Sequence, residues 1–323
     1  MSYARAGSLE ALRARARMLA RIRAFFAARG VLEVETPALS AAGVSDLALD
    51  NMQGTARSLG PTPLYLHTSP EYAMKRLLAD GSGDIYQICR VFRDDELGRW
   101  HQPEFTLLEW YRVGFDDLRL MNEVEALLRD ALAEDGATWR SERIRYSDAL
   151  VRALGVDAAA SSASVAARLA ERGIDVPQDL GHDALLDLAF ASLVVPSFAA
   201  DTLTFVCDYP ASQAALARLK VGTPTVAARF EVFARGIELA NGFHELTDAE
   251  EQRRRFETEI DARRKAGRHV PPLDEAFLAA LARGLPDCAG VAVGVDRLVA
   301  LALGAESVAA AMAFEHRPPR GLG

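Results

Sequence analysis

The chain has 323 residues, half of them hydrophobic and a quarter charged, the balance of an ordinary folded protein with room for one large domain or two small ones. A formal net charge of -8 argues against a general nucleic-acid binder, whose footprint would be basic. Three cysteines (Cys89, Cys207 and Cys288) with no CxxC spacing argue against a disulfide framework or a zinc site, and there is neither an apolar run of membrane-spanning length nor a signal-peptide stretch after Met1, so the sequence predicts a cytoplasmic protein with no membrane partner.

Leu9, Leu12, Ala16, Leu19, Ile22 and Phe26 recur at three- and four-residue steps, which predicts an amphipathic helix over 8–29 that Gly30 stops. Thr36-Pro37 then leads into extended chain, because the residue before a proline avoids helical angles. Residues 63–68 read as a strand. Ser69 is placed to cap the next helix, with Pro70 at its first position and Glu71 in its first turn. Residues 84–93 and 103–112 predict two strands joined by the polar loop 94–102, and a helix follows over 116–134. Residues 135–200 are rich in Ala, Ser and Asp, and their apolar spacing is helical. They read as a small helical insertion that shows no chemistry.

Strands resume near 203–207 and 226–244, and helices are expected at 248–266 and 274–284. The glycine-punctuated run Gly290–Val295 predicts a buried strand that enters a final helix at Asp296-Arg297. This order gives an α+β fold over 1–323, a mostly antiparallel sheet flanked by helices in a single domain. No G-x-G-x-x-G or G-x-x-x-x-G-K-[ST] loop is present, so a nucleotide would not be held in the Rossmann or P-loop manner. The arginines at 5–29 and at 253–268 read as solvated helix faces, with a docking surface for an acidic partner as the alternative.

The segment from Phe92 to Tyr111 packs two arginines, a histidine and five carboxylates among aromatic residues. Phe105, Leu107 and Trp110 are expected on one face of its strand, and Thr106, Leu108 and Tyr111 on the other. Glu104 and Glu109 lie on that strand, and a buried carboxylate is costly unless it is paired. The partner is either a cationic ligand or an internal arginine. Glu231, Glu238 and Glu245 are spaced seven apart. A hairpin turn at Ala234-Arg235-Gly236 brings Glu231 and Glu238 to one sheet face, where Mg²⁺ or a neighbour such as Arg229 would relieve their repulsion. Asn241-Gly242 is expected to bulge the strand and re-aim Phe243 and Glu245. Close backbone approach is expected at Gly294, with Arg297 supplying positive charge beside it.

Together these segments resemble the catalytic core of the class II aminoacyl-tRNA synthetases. Glu33-Val34-Glu35-Thr36-Pro37 after the first helix resembles the first motif of that class, which builds a dimer interface. Phe92–Tyr111 resembles the second motif and Gly290–Arg297 the third. Ser69-Pro70-Glu71, His101-Gln102-Pro103-Glu104-Phe105-Thr106 and Glu238–Leu246 point to the lysine-specific subgroup. The first catalytic helix begins near residue 8, leaving no room for an anticodon-binding domain. The chain therefore resembles most the elongation factor P–lysine lysyltransferases, truncated paralogues that do not bind the tRNA anticodon.

That resemblance implies activation of (R)-β-lysine, or lysine, by ATP and transfer to a lysine of elongation factor P. It implies that Arg93 holds the α-phosphate, that Phe105 stacks on adenine near His101, and that Arg297 grips the γ-phosphate. Asp94, Asp95, Gln102, Glu238, Leu239 and Gly294 complete the ATP site. Glu231 and Glu238 bind Mg²⁺. Glu109, Tyr111 and Glu245 take the ε-ammonium group and Glu71 the other amino group, with Ser69, Pro70, Asn241, Phe243 and Ala292 around the substrate. Ala292 stands where lysyl-tRNA synthetases usually carry glycine, and its methyl group is expected to favour a β-amino acid. A homodimer is expected. The rival readings are a lysine-type enzyme acting on tRNA with a separate partner, an asparagine synthetase built on the same core, and a non-catalytic amino-acid sensor. The asparagine reading would need cations where Glu109 and Glu245 stand.

Overall fold

A nine-stranded sheet organises the chain. The computed structural model describes residues 3–133, 136 and 138–317. In chain order the first elements are β1 (Tyr3–Arg5), α1 (Leu9–Ala27), β2 (Leu32–Glu33), β3 (Leu39–Ser40), β4 (Gln53–Gly54), β5 (Leu64–Leu66), α2 (Glu71–Ala79), β6 (Ile85–Phe92), β7 (Glu104–Val113) and α3 (Asp117–Ala131). Next come β8 (Arg140–Arg145), α4 (Tyr146–Leu154), α5 (Ser162–Glu171), α6 (His182–Ala189), β9 (Thr202–Pro210) and β10 (Leu219–Lys220). The chain continues through β11 (Val226–Ala234), β12 (Ile237–His244), α7 (Ala249–Lys265), α8 (Glu275–Gly284), β13 (Cys288–Gly294), α9 (Val295–Ala302) and β14 (Phe314–His316). The sheet runs β2-β6-β7-β13-β12-β11-β9-β8, and β10 pairs with β11. The β2–β6 and β8–β9 pairs are parallel. The other ladders are antiparallel, as the α+β reading requires.

The helices sort by the face they cover. Met18, Ile22, Phe25 and Phe26 of α1 join α3 and α9 over Leu108, Trp110, Val232 and Val291 of the sheet. On the other side, Met74 and Leu78 of α2 pack with Phe256 of α7 and Phe277 of α8 around Tyr111. The insertion closes a separate cluster in which Leu150, Leu169 and Leu186 meet Val206 and Phe233. α1 begins where Ser8 accepts a hydrogen bond from the Ala11 N–H, and Gly30 follows its end with φ +66°. No helix among the described residues is long and apolar enough to cross a membrane.

Several expectations change here. The region after α3 is not wholly helical: β8 opens it and pairs in parallel with β9 along six residues. Its sequence, Arg-Ser-Glu-Arg-Ile-Arg, has one buried apolar residue, Ile144, so alternation gave no signal. On β7, Trp110 lies with Leu108 in the core, whereas Tyr111 faces the opposite side with Phe105, Leu107 and Glu109, the reverse of the expected assignment for both aromatics. The bulge is not at Asn241-Gly242, which pair in register with Glu231 and Phe230. It falls at Leu239, because Val232 pairs with Ala240 while Phe233 pairs with Glu238. Gly242 is needed for another reason: a Cβ there would lie 2.5 Å from the Phe230 ring.

The two-residue turn is Arg235-Gly236, both left-handed at φ 50° and 74°. α2 starts at Glu71, one residue later than expected, and the Ser69 hydroxyl accepts from the Glu71 N–H at 3.3 Å. The arginines of α7 are engaged within the protein. Arg253 pairs with Glu275, Arg254 and Arg255 with Glu251, and Arg264 with Asp261. Arg263 is buried and donates to Asp50 and to the carbonyls of Asp46, Leu49 and His269.

Candidate active site

A cavity of about 380 Å³ opens over the face of the sheet that carries Phe105, Leu107, Glu109 and Tyr111. β7, β12 and β13 form its floor, and α2 with the loop through Gly43 and Val44 forms one wall. Its two ends differ in charge.

The acidic end is assembled from four elements. Glu109 sits on β7, opposite Gln87 on β6 and Ala292 on β13. Glu245 follows β12 and is fixed by its own N–H, which donates to the Cys288 carbonyl at 3.0 Å. Glu71 opens α2, and Lys75 lies one turn further along. Lys75 Nζ is 2.6 Å from Glu71 Oε1 and 2.6 Å from Glu245 Oε2, and its side chain is fully enclosed. The Tyr111 hydroxyl donates to Glu109 Oε1 at 2.7 Å. Glu245 Oε1 is buried without a hydrogen-bond partner.

Burial dominates the electrostatics of this end. It pushes the Glu109 carboxyl up to about 8, helped by the charge of Glu71 and opposed by the Tyr111 hydroxyl and Lys75. It pushes Glu245 up to about 7, with Lys75 as the largest opposing charge. Burial works to lower the Lys75 ammonium, but Glu245 and Glu71 outweigh it and hold the group above the ordinary lysine range. Two buried carboxyls that resist ionisation form a site that accepts a cation.

Gly290 makes room for this cluster. A Cβ there would lie 2.3 Å from the Tyr111 ring and 2.6 Å from Glu245 Oε1. The close approach is therefore at Gly290 and not at Gly294, where a Cβ would meet nothing nearer than Arg297 Cδ at 3.5 Å.

The other end is cationic and aromatic. The Arg93 guanidinium lies 5.1 Å from the Phe105 ring centroid, donates to the Thr68 carbonyl at 3.4 Å and faces Glu96 at 3.6 Å. Arg297, in the first turn of α9, donates to the carbonyls of Trp100 at 3.1 Å and Glu238 at 2.9 Å. Its second terminal nitrogen lies 2.7 Å from His101 Nε2. Burial, reinforced by Arg297, lowers the His101 pKa, so the ring stays neutral and accepts that hydrogen bond. Gln102 is buried and accepts from the His316 N–H at 2.8 Å.

Ser69, Pro70, Asn241, Phe243 and Ala292 line the same cavity, as do Leu239 and Gly294. Asp94 and Asp95 do not. The Asp94 N–H is tied to the Asp50 carbonyl at 2.9 Å, Asp95 takes φ +58°, and both line a separate recess beside Arg263. Glu96 occupies the cavity wall in their place. Glu104 needs no ligand, since it is half-exposed and pairs with Arg90 and His316 at 3.6 Å each.

Glu231 and Glu238 share a sheet face, and the charge of Glu238, second to burial among the raising effects, helps hold the Glu231 carboxyl up. Glu238 lines the cavity, whereas Glu231 stands behind it and accepts from Arg229. Among the described residues no group of three or more His, Cys, Asp or Glu side chains is arranged to hold a metal. Two carboxylates suffice for Mg²⁺ when phosphate oxygens complete its shell; Glu238 faces the cavity, and Glu231 would join it at such a metal only by releasing Arg229.

The sequence reading missed Lys75. Its signal was the i,i+4 spacing from Glu71, which normally marks an exposed helix pair. Arg229, which bonds Glu231, the Gln213 carbonyl at 2.9 Å and Asn241 at 3.3 Å, was named only as an alternative neutralising group.

Comparison with known proteins places this geometry. Residues 1–318 match the tRNA synthetases of class II (D, K and N). Proteins named elongation factor P–(R)-β-lysine ligase from Salmonella typhi and from Salmonella enteritidis PT4 are each 50% identical over 319 residues, covering 95% of this chain and 95% of the relative. The chain belongs to the class II tRNA synthetase family of the D, K and N group.

Proposed function

We propose that this chain activates (R)-β-lysine, or lysine, with ATP and transfers it to the ε-amino group of a lysine on elongation factor P. The observation that carries the reading is the carboxylate wall of Glu71 and the buried Glu109 and Glu245 in the cavity that also holds Arg93, Phe105 and Arg297. Acceptors at one end and arginines at the other suit a diamino acid whose carboxylate faces a triphosphate. The relatives, named for elongation factor P, support that protein as the acceptor.

In the first step a carboxylate oxygen of the amino acid attacks the α-phosphorus and pyrophosphate leaves. In the second, the acceptor amine attacks the acyl carbon, AMP leaves, and the nitrogen gives up a proton. Glu109, with its oxygen oriented by Tyr111, and Glu245 hold one ammonium group, and Glu71 holds the other. Arg93 faces the charge that develops at the α-phosphate. Phe105 offers its ring to adenine beside neutral His101, and Arg297 grips the departing phosphates. When bound, Mg²⁺ on Glu231 and Glu238 would neutralise phosphate charge. The rest is positioning: no side chain of this site needs to be a strong acid or base. A homodimer through the segment around Pro37 completes the proposal.

The test is mass spectrometry of elongation factor P after incubation with the protein, ATP, Mg²⁺ and either lysine isomer. A gain of one lysyl group is expected. An unmodified factor together with aminoacylation of total tRNA would replace this reading.

A further inference from the structure

Lys75 has no role in the scheme above, yet it is the most enclosed charge at the acidic end. We propose that Lys75 is a positioning residue for the diamine: its ammonium fixes Glu71 and Glu245 in place and sets the charge of the wall, so that once a guest with two ammonium groups draws all three carboxyls into the ionised form, three carboxylates less one internal cation match its two charges. The inference rests on the proposed function.

Geometry supports it first. Nζ spans α2 and the end of β12 with two contacts of 2.6 Å, so each acid is left with a second oxygen to offer. One of these, Glu245 Oε1, is buried and has no hydrogen-bond partner. The groups facing Lys75 come from every element packed on it. They are Glu71 on its own helix, Glu109 from β7 with the Tyr111 hydroxyl bonded to it, Glu245 after β12, Cys288 from β13, and the Phe277 ring of α8 at 5.9 Å. Arg218 adds a smaller positive influence on Glu245.

Energetics argue against a merely structural lysine. A buried ion pair is weak support for stability, since an apolar side chain of similar volume serves as well or better. A lysine retained here acts on the acids. Without it, burial would favour a protonated Glu245, and a protonated carboxyl offers an ammonium guest a weaker acceptor.

The experiment is ATP–pyrophosphate exchange with β-lysine and with lysine, followed from about pH 6 to about pH 9, for the wild type, Lys75→Gln and Lys75→Arg. The amide in Lys75→Gln keeps a hydrogen bond and removes the charge. It is expected to move the acid limb of kcat/KM for the diamino acid upward by about one pH unit, which is about tenfold in KM near neutrality. KM for ATP is expected to stay within about threefold, and kcat to recover at the alkaline end. Lys75→Arg is expected to keep the wild-type limb. An unmoved limb in Lys75→Gln, or losses shared equally by ATP and diamine at every pH, overturns the assignment of Lys75 alone. A wild type that exchanges pyrophosphate with neither isomer overturns the proposed function and this inference together. If Lys75→Gln fails to fold, Lys75→Arg decides: a limb at the wild-type position sustains the assignment, and a displaced one overturns it.

Discussion

Glu109 and Glu245 are acids held where acids are uncomfortable. Their ordinary carboxyl value of 4.5 rises to about 8 and about 7 on folding. Without substrate, the folded chain therefore carries protons that the unfolded chain has released. Stability is fully present below the unfolded value and falls as pH rises through the folded ones. Thermal melts without substrate from about pH 4 to about pH 9 are expected to show Tm falling between about pH 5 and about pH 8 and levelling off above that, and the diamino acid should restore part of the loss. KM for the diamino acid is expected to fall as pH rises over the same range, because the ionised wall accepts cations. Removing one partner of a buried pair costs about 3–5 kcal/mol, so Glu245→Ala, which also strands Lys75, should lower kcat/KM for amino-acid activation by at least about a hundredfold. Glu109→Ala is expected to do the same, and unchanged pyrophosphate exchange in either variant would refute both roles. Ala292 lies in register between Glu109 and Asn241 and lines the cavity proposed to take the substrate. Ala292→Gly is expected to shift preference toward α-lysine, and competition between the two isomers measures it.

At the scale of elements, the strands that carry the chemistry were readable because their polar residues recur with glycines and turns at fixed spacings. Arg93, His101, Phe105, Glu109, Glu238, Glu245 and Arg297 all reach the cavity as expected. What was unreadable depends on register between strands. Trp110 and Tyr111 are neighbours, so a one-residue error exchanges core for cavity. The bulge at Leu239 exists only relative to β11, and sequence alone placed it at the Asn-Gly pair. Lys75 was hidden because its second partner, Glu245, lies 170 positions further along the chain and is not visible from helical spacing. The glycines give an element-scale test. Gly290→Ala forces a methyl group into Tyr111 and Glu245, and overpacking of this kind costs about 1–3 kcal/mol. KM for the diamino acid should rise by about tenfold or more in Gly290→Ala, whereas Gly294→Ala, whose Cβ meets only ordinary contacts, should leave it within about twofold.

Across the whole molecule, long-range polar ties fasten the layers to the site. Arg15 of α1 donates to Asp296 at 2.5 Å and to Thr106 at 2.7 Å, and Asp296 in turn accepts from the Thr106 N–H at 2.6 Å, which joins α1, α9 and β7. Arg263 ties α7 to the Asp46–Asp50 loop through three acceptors and donates to the His269 carbonyl as well. Arg263→Leu leaves that loop unfastened and should lower stability by about 3 kcal/mol or more, measured by urea unfolding. The floor of the cavity has a further consequence. β7, β13 and β12 are adjacent, paired strands, and between them they carry Phe105, Glu109, Glu238, Asn241 and Ala292. The distance from the Phe105 ring, proposed to meet adenine, to Glu109, proposed to meet the ammonium group, is thus set by one rigid plate, like the fixed jaw of a gauge. A guest one methylene too short or too long cannot be met by adjustment there; it must leave one contact unmade.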